Sequence, residues 1–287
     1  MIPGELELKQ ADQRDKDQLV RLLQKESFVH RHLGWQPALD WLGKQPYLLL
    51  RKQDKIVSVL ACPPDEDDNT WLRLFAVEPG FSLYRAWNTL WPSALEWIQE
   101  NTSVGIINSL VVNNKMTGLL EKSGFVESFK VVVLLWDIVQ AQWPDPDGEI
   151  SIRPIDPDDL SLVYEIDQIA FETIWRNSKE QLKIAFFEAI STTIAEYDGQ
   201  VVGYQISTCR SQIGHLARLA VDPAYQNRGI GSALVRDVLD QFQRQGIVQV
   251  TVNTQMRNKA SLELYKKFGF KQLAEEYSVY QYPLMES

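Results

Sequence analysis

The hydrophobic positions in the second half of the chain change repeatedly between the period of a strand and that of a helix. Asp156 and Pro157 open the first predicted helix, directly after an alternating strand. Asp198 and Gly199 separate two alternating apolar runs, which is a strong signal for a two-residue hairpin turn. The predicted order is strand 150–155, helices from 157 and over 179–189, hairpin 192–207, strand 215–221, helix 229–245, strand 248–253, helix 259–268, and strands 270–273 and 277–282.

The first half of the chain repeats this order of elements. Its segment RLFAVEP at 73–79 is similar to RLAVDP at 218–223, and LLEKSGF at 119–125 is similar to LYKKFGF at 264–270. These echoes predict two copies of one mixed α/β unit, although chance likeness between short apolar strings is the alternative. The predicted elements are strand 6–9, helix 15–25, strands 47–51, 56–61 and 71–77, helix 84–100, strand 104–111, helix 115–122 and the last strands within 125–136.

A linker separates the two predicted copies at residues 140–148. Two prolines and a glycine interrupt the apolar pattern there. The sequence therefore predicts domains at 1–139 and 149–287, which fits the length of 287 residues.

Composition excludes several classes of protein. With 45% hydrophobic and 23% charged residues, the chain is typical of a globular protein. A net charge of −9 is unsuited to coating nucleic acid, which needs clustered lysine and arginine, whereas it attracts a cationic substrate such as an amine. The sequence has neither a long apolar run nor a secretory signal, so we expect a cytoplasmic protein that binds no membrane.

Cysteines and histidines show no spacing typical of a metal or redox site. Cys62 and Cys209 lie far apart, and we expect them to be buried apolar residues in a reducing compartment. His30, His32 and His215 are too scattered to predict a metal site. His30 and His32 fall between the first two predicted helices, where a substrate is one possible contact and a surface loop is the favoured interpretation.

The most informative segment turns from a strand into a helix at Gly229 and Gly231. Glycines let backbone N–H groups crowd around an anion, and the helix N-terminus adds partial positive charge, so a phosphate or diphosphate site is predicted. Arg228 offers a direct charge contact. Ser232 follows Gly231 with no lysine, against a Walker loop, and Leu234 stands where a Rossmann fingerprint needs its third glycine.

Two sequence blocks in this half resemble those of the GNAT superfamily of N-acetyltransferases. Residues 226–231 read QNRGIG, which is similar to the acetyl-CoA signature Gln/Arg-x-x-Gly-x-Gly/Ala, and they follow AVDP at 220–223. Residues 258–270 resemble Asn-x-x-Ala-x-x-Leu-Tyr-x-x-x-Gly-Phe. The resemblance covers 150–287 and is closest to ribosomal-protein N-terminal acetyltransferases. It implies an α/β (α+β) fold, with two GNAT-like mixed-sheet domains in tandem.

The resemblance also implies a site for acetyl-CoA and no metal. The diphosphate would lie on the amides of 226–232, and the pantetheine arm would lie like an added strand beside 219–221, where the fourth and fifth strands separate. Amides near Leu219 and Ala220 would polarise the thioester carbonyl. The residues implied to bind acetyl-CoA are Leu219, Ala220, Val221, Gln226, Asn227, Arg228, Gly229, Ile230, Gly231, Ser232 and Asn258.

Catalytic candidates follow from the same resemblance. Tyr265 is the candidate general acid for the departing thiolate, and the alternative is a tyrosine packed in the core. Related enzymes often use a glutamate on the fifth strand, but Asn253 occupies that position and cannot act as a base. His215 and Glu172 are the candidate bases; a structural histidine and a water relay are the alternatives.

Acceptor selection is expected at the loop between the first two helices of the second half and at the final strands. The residues placed there are Phe171, Glu172, Trp175, Tyr277 and Tyr280, unless the aromatic rings are core and Glu172 is solvated.

The first half lacks the cofactor signature, since no Gly-x-Gly follows Pro79 and Leu120 stands in the place of the tyrosine. It is therefore expected to be a degenerate copy. Seven of the nine tryptophans fall in this half, which predicts an aromatic core or interface.

The leading hypothesis is an N-acetyltransferase, monomeric or homodimeric. It moves an acetyl group from acetyl-CoA to a primary amine of a small molecule or peptide by direct attack. One alternative is a catalytically weak acyl-CoA-binding regulatory module, which the missing glutamate permits and Tyr265 opposes. Another is a tandem that serves chiefly as a dimerisation scaffold.

Overall fold

The computed structural model describes residues 6–25, 27–65, 69–137 and 149–284. It divides into two compact units, one formed by 1–129 with 277–287 and the other by 130–276. The predicted linker at 140–148 lies outside the described residues. The units do not follow the two halves of the sequence, because strand β8 (Val126–Asp137) begins in the first unit and ends in the second, and strand β14 (Lys271–Pro283) does the reverse.

The first unit contains two groups of paired strands. One is a five-stranded sheet in the order β1-β3-β4-β6-β2, and in the other β5 pairs with β7 in parallel and the end of β14 pairs with β7 in antiparallel fashion. The strands are β1 (Leu6–Gln10), β2 (Phe28–Arg31), β3 (Tyr47–Lys52), β4 (Lys55–Ala61), β5 (Asn69–Trp71), β6 (Leu74–Val77) and β7 (Ile106–Val111). The helices are α1 (Lys16–Gln24), α2 (Leu83–Asn101) and α3 (Asn114–Lys122).

The second unit is built on a mixed sheet in the order β9-β10-β11-β12-β13-β8. Its strands are β9 (Ile150–Pro154), β10 (Ser191–Tyr197), β11 (Gln200–Arg210), β12 (Ile213–Val221) and β13 (Gln249–Gln255). Its helices are α4 (Leu160–Ala170), α5 (Lys179–Glu188), α6 (Ile230–Arg244) and α7 (Lys259–Lys267). Only the β12–β13 pair is parallel, while the other neighbours are antiparallel.

Local sequence signals account for most of these elements. Asp198 and Gly199 both have positive φ, 53° and 73°, as a tight hairpin turn between β10 and β11 requires. Three expectations were wrong. The strand predicted at 71–77 is broken into β5 and β6, β2 was missed, and 270–282 is one continuous strand.

Each unit has its own core. In the first, the rings of Trp87 and Trp91 stack at 5.3 Å between centroids, and Trp41 and Trp71 are also buried. This confirms an aromatic core there, although Trp136 belongs to the core of the second unit. In the second unit, the predicted apolar side of α6 is fully buried, namely Leu234, Val235, Val238, Leu239 and Phe242. Cys62 is buried and Cys209 half-buried.

Close contact between β12 and α6 makes Gly214 a test of the second core. A Cβ atom at Gly214 would lie 2.6 Å from the Phe242 ring, which is fully buried and cannot move aside. We expect Gly214→Ala to lower the free energy of unfolding by about 1–3 kcal/mol, measured by urea denaturation. Gly105→Ala, where the new methyl group meets nothing within 4 Å, is the control and should change stability little. Equal stability of the two variants would contradict this packing.

Candidate functional site

The site begins where β12 and β13 separate. The two strands pair in parallel from Ile213 opposite Gln249 to Leu216 opposite Val252. A bulge in the β11–β12 ladder follows at once, because Ile206 is opposite Arg218 while Ser207 is opposite Leu216. The extra residue, Ala217, bends β12 at this point. Residues 218–221 therefore pair with β11 on one side only, and we call the other side the open edge.

Backbone groups of alternate residues face the open edge. The N–H of Asp222 donates to the carbonyl of Val202 at 2.8 Å, so this pair is hydrogen-bonded across the ladder. Antiparallel ladders alternate between bonded and non-bonded pairs, which places Ala220 in a bonded pair and turns the backbone groups of Leu219 and Val221 outward. Consistent with this, the carbonyl of Val221 accepts from Gln226 Nε2 at 3.2 Å. The Ala220 amide, expected near the thioester carbonyl, thus faces β11, whereas the amides of Leu219 and Val221 face the open edge.

The glycine turn follows the open edge directly. Gly229 is the N-cap of α6, has φ +84° and offers no side-chain cap to the first N–H groups of the helix. The first four N–H groups of a helix have no partner within it and suit an anion. At Gly231 a Cβ atom would lie 3.3 Å from Leu264 Cδ2, so the glycine allows α6 and α7 to approach closely without a shift of Leu264. Asn227, with φ +62°, completes the tight turn.

Basic side chains lie beside this helix N-terminus. Lys267 Nζ, from the last turn of α7, is 3.4 Å from Ser232 Oγ. The Arg228 guanidinium lies 5.3 Å and 5.4 Å from the ring centroids of Tyr197 and Tyr225. Sequence analysis missed Lys267, because helix α7 brings it to the turn only in the folded chain.

Tyr265 lies on α7 in the same core as α6. It is 5% exposed, its ring centroid is 5.5 Å from that of Phe270, and burial raises the pKa of its phenol above the usual range. Within the described residues its hydroxyl makes no hydrogen bond. A protonated phenol with no protein partner is suited to donate to a ligand. Asn258 caps α7, since its Oδ1 accepts from the N–H of Ser261 at 3.1 Å.

His215 lies one residue before the last β12–β13 pair. Gly214 and Leu216 face α6, so alternation places His215 on the opposite face, the side of α4. Its Nδ1 is 2.9 Å from Thr251 Oγ1, and that hydroxyl is 3.3 Å from the carbonyl of Gly214. If the hydroxyl donates to the carbonyl, Nδ1–H donates to the hydroxyl and Nε2 keeps its lone pair. Burial lowers the pKa of His215, so the ring is neutral at pH 7.

Glu172 lies at the outer part of the connection between α4 and α5. Its side chain is 60% exposed and pairs with Arg257 at 2.5 Å. Arg257 belongs to the connection between β13 and α7. The ion pair therefore links two loops of the second unit, and Glu172 is solvated as well as paired.

A buried polar cluster on the α4 side was not anticipated from the sequence. The Asp167 carboxylate is fully buried and accepts from Arg218 at 2.6 Å and 2.8 Å and from the hydroxyl of Tyr204. Burial raises the pKa of Tyr204 well above its usual range, which keeps it a donor. Arg218 lies on the open-edge segment of β12. The sequence contains two weak signals of this pair. Arg218 is a charge within an apolar strand, and Asp167 is an acid on the apolar side of α4.

This cluster holds residues 171–177, which we call the acceptor loop. Arg218 Nη2 donates to the carbonyl of Trp175 at 2.7 Å, and its guanidinium lies 3.5 Å from the centroid of the Phe171 ring. The loop thus lies against β12. Tyr280, expected among the residues that select the acceptor, is 4% exposed in the core of the first unit, to which Tyr277 also belongs.

In the first unit the corresponding edge is occupied by strand β2. The N–H of Glu78 donates to Val57 at 2.9 Å, just as that of Asp222 donates to Val202, which aligns β6 with the end of β12. Strand β2 then pairs along the outer side of β6, with Phe28 opposite Val77 and His30 opposite Phe75. The backbone groups that face outward in β12 are therefore used within the sheet of the first unit.

This strand also corrects the expectation for His30 and His32. They were expected on a surface loop, but His30 is fully buried in β2 and His32 stacks on Trp71 at 4.5 Å between centroids. Burial lowers the pKa of His30 to about 4, so the ring is neutral. His30 Nε2 is 3.3 Å from Ser109 Oγ.

Neither a metal-binding cluster nor a membrane-spanning helix occurs among the described residues. Across the described ranges, no group of three His, Cys, Asp or Glu side chains is arranged to hold a metal ion. No helix in the part of the chain that the structure covers is long and apolar enough to cross a membrane.

Comparison with known proteins finds a family match in the second unit. A family model described as acetyltransferase (GNAT) family matches residues 160–270. The mycothiol acetyltransferase of Amycolatopsis mediterranei is 27% identical over 171 residues, which cover 52% of this chain and 56% of that relative. The [ribosomal protein bS18]-alanine N-acetyltransferase of Escherichia coli is 25% identical over 122 residues, 42% of this chain and 81% of that protein.

A solved structure shares the arrangement of the whole chain. The tandem GNAT protein from the clavulanic acid biosynthesis pathway has a TM-score of 0.68 at 14% identity, covering 99% of this chain and 100% of that one. The likeness confirms the expected fold of two GNAT-like mixed-sheet domains in tandem. Residues 160–270, within the second unit, thus match the acetyltransferase (GNAT) family, and the chain as a whole has the fold of two GNAT-like domains in tandem.

Proposed function

We propose that the second unit transfers an acetyl group from acetyl-CoA to a primary amine of a small molecule or peptide. The observation that carries the proposal is the open edge of β12, which leads directly into the glycine turn of α6. An extended amide-bearing arm can pair with such an edge, and a diphosphate can lie on the helix N-terminus beside it. Among the described residues, only the second unit combines an open edge with a glycine turn.

Several groups of the second unit fit acetyl-CoA. The diphosphate is assigned to the amides between Gln226 and Ser232, with Lys267 as an additional cation. The pantetheine arm is assigned to the open edge, where the N–H groups of Leu219 and Val221 and the carbonyl of Leu219 face outward, while the carbonyl of Val221 accepts from Gln226 Nε2. The same N–H groups are placed to polarise the thioester carbonyl.

In the proposed reaction the amine nitrogen bonds to the acetyl carbonyl carbon and the carbon–sulfur bond breaks. The phenol of Tyr265 donates its proton to the departing thiolate. The ammonium of the acceptor first loses a proton, and His215 is the candidate base because its Nε2 lone pair is on the α4 side of the sheet. Glu172 is a weaker candidate, since its carboxylate pairs with Arg257 in an exposed position.

The acceptor is assigned to the α4 side, where the acceptor loop lies against β12. The relatives reported above are named as an acetyltransferase of mycothiol and as an N-acetyltransferase of an alanine of ribosomal protein bS18. The identity of the amine that this chain uses is therefore tested with a panel. We use a short peptide that begins with alanine and a set of small primary amines. Binding of acetyl-CoA without CoA release on every amine would favour a regulatory acyl-CoA-binding module instead.

The glycine turn can be tested with an acidic residue that leaves the helix intact. Ser232→Glu places a carboxylate in the first turn of α6, where it is favourable for the helix and repels a diphosphate. We expect acetyl-CoA affinity to fall at least about 100-fold in calorimetry, because juxtaposed like charges cost several kcal/mol. Ser161→Glu, in the exposed first turn of α4, is the matched control and should bind normally. Full affinity in Ser232→Glu would exclude this turn as the diphosphate site.

Tyr265 can be tested by removing its hydroxyl alone. Tyr265→Phe should lower kcat by about 100-fold, in the range usual for a general acid, with the Kd of acetyl-CoA unchanged. Because burial raises the phenol pKa above its usual value near 10, the wild-type rate should show no loss from ionisation of this group up to about pH 10. Steady-state kinetics against pH measure both. An unchanged kcat would return Tyr265 to a packing role.

The number of acetyl-CoA molecules per chain tests the contrast between the units. Since β2 occupies the edge of β6, we expect one bound acetyl-CoA per chain in native mass spectrometry. Ser232→Glu should remove that single molecule. Two bound molecules in the wild type, or one that persists in Ser232→Glu, would show that the first unit binds the cofactor despite β2.

A further inference from the structure

We propose that Arg218 is a positioning residue that fixes the acceptor loop against the open edge of β12. The inference rests on the proposed function and names a specificity element for it. Arg218 contacts neither the glycine turn nor Tyr265 in the described structure. It contacts the segment past which the acceptor amine must approach the thioester.

The first step concerns how Arg218 itself is held. Its Nε and Nη2 lie 2.8 Å and 2.6 Å from the same oxygen of Asp167, and its side chain is 12% exposed. The hydroxyl of Tyr204 donates to that oxygen too. Two nitrogens of Arg218 on β12 and the hydroxyl of Tyr204 on β11 therefore bond the same carboxylate oxygen. The guanidinium plane has little freedom to rotate as a result.

The second step concerns what Arg218 holds in turn. The guanidinium bonds the carbonyl of Trp175 at 2.7 Å and lies 3.5 Å from the centroid of the Phe171 ring. The other oxygen of Asp167 accepts from the N–H of Asn177 at 2.9 Å. Contacts therefore reach the beginning, middle and end of the acceptor loop from one buried ion pair. The buried pair thus adds these contacts to the hydrogen bonds that the loop makes within itself, such as that from Arg176 Nε to the carbonyl of Phe171 at 3.1 Å.

The third step connects the loop with the chemistry. Arg218 is the residue immediately after the bulge at Ala217 and immediately before Leu219, whose backbone faces the open edge. A shift of the guanidinium thus moves the acceptor loop relative to the place assigned to the thioester. Misplacement by about 1 Å is enough to cost up to about 100-fold in rate when reactants must be aligned.

The test compares Arg218→Lys with a matched variant. Lysine keeps the positive charge beside Asp167 but cannot bond Asp167 and Trp175 together or stack as a plane on Phe171. Arg153→Lys is the control: Arg153 bonds Asp159 through two nitrogens, at 2.7 Å and 3.0 Å, at the opposite end of α4. Both variants lose an arginine fork that contacts the same helix.

We expect Arg218→Lys to raise the KM for the acceptor amine about tenfold, with the Kd of acetyl-CoA unchanged. Amides of 172–177 should exchange with deuterium faster, while those of α6 stay protected. Arg153→Lys should do neither. Phe171→Leu, which retains apolar volume and removes only the ring under the guanidinium, should raise the same KM about threefold.

Two results would overturn the proposal. One is an unchanged acceptor KM and unchanged exchange at 172–177 in both Arg218→Lys and Phe171→Leu. The other is an equal effect of Arg153→Lys, which would make Arg218 merely structural. The proposed function fails separately, if the wild-type chain neither binds acetyl-CoA nor releases CoA with any amine, and the exchange measurement still tests the loop in that case.

Discussion

The separation of β12 from β13 past Leu216 is the constraint on which the rest of the second unit depends. A strand whose neighbour departs leaves a row of N–H and C=O groups without a ladder, and buried groups of this kind need partners. The bulge at Ala217 sets the point of departure and the facing of the next four residues. Because the chain then turns straight into α6, unpaired amides of a strand and of a helix N-terminus meet in one place.

The first unit shows how the same problem is solved without a ligand. There β12 has its counterpart in two pieces, β5 and β6, and strand β2 pairs with the outer side of β6. The edge is satisfied by the protein itself, so no selection for paired glycines at the following helix is required. Ser82 caps α2 instead, since its hydroxyl accepts from the N–H of Arg85. The first unit thus lacks the paired glycines of the cofactor signature and has the edge of β6 filled by β2.

Sequence patterns predicted the parts of this structure that depend on local spacing. The buried side of α6, the turn at Asp198 and Gly199, and the glycine turn itself all follow from residues close together in the chain. The break between β5 and β6 was not predictable, because the run 71–77 is apolar apart from Arg73 and a bend changes little of that pattern. Strand β2 was missed for the opposite reason, since His30 interrupts its apolar run and is buried only through tertiary contacts.

The site divides in the same way. Gly229, Gly231 and Tyr265 lie in recognisable blocks, whereas Lys267 and the Asp167–Arg218 pair become adjacent only through folding. For a charged pair a single sequence offers no reliable signal, because an arginine in a strand and an acid in a helix are usually solvated. Only their positions, each on the buried side of its element, distinguished them.

Both units carry an arginine at the bend of the corresponding strand, and comparing the two arginines indicates their role. Arg73 precedes β6 as Arg218 precedes the end of β12, and Arg73 pairs with Asp65 and lies 4.4 Å from the ring centroid of Trp41. Its carbonyl accepts from the N–H of His32, just beyond β2. In each unit, then, the segment after the first helix is fastened to an arginine at the bend. The first unit uses that fastening to close its edge, and the second uses it to hold a loop beside an edge that stays open.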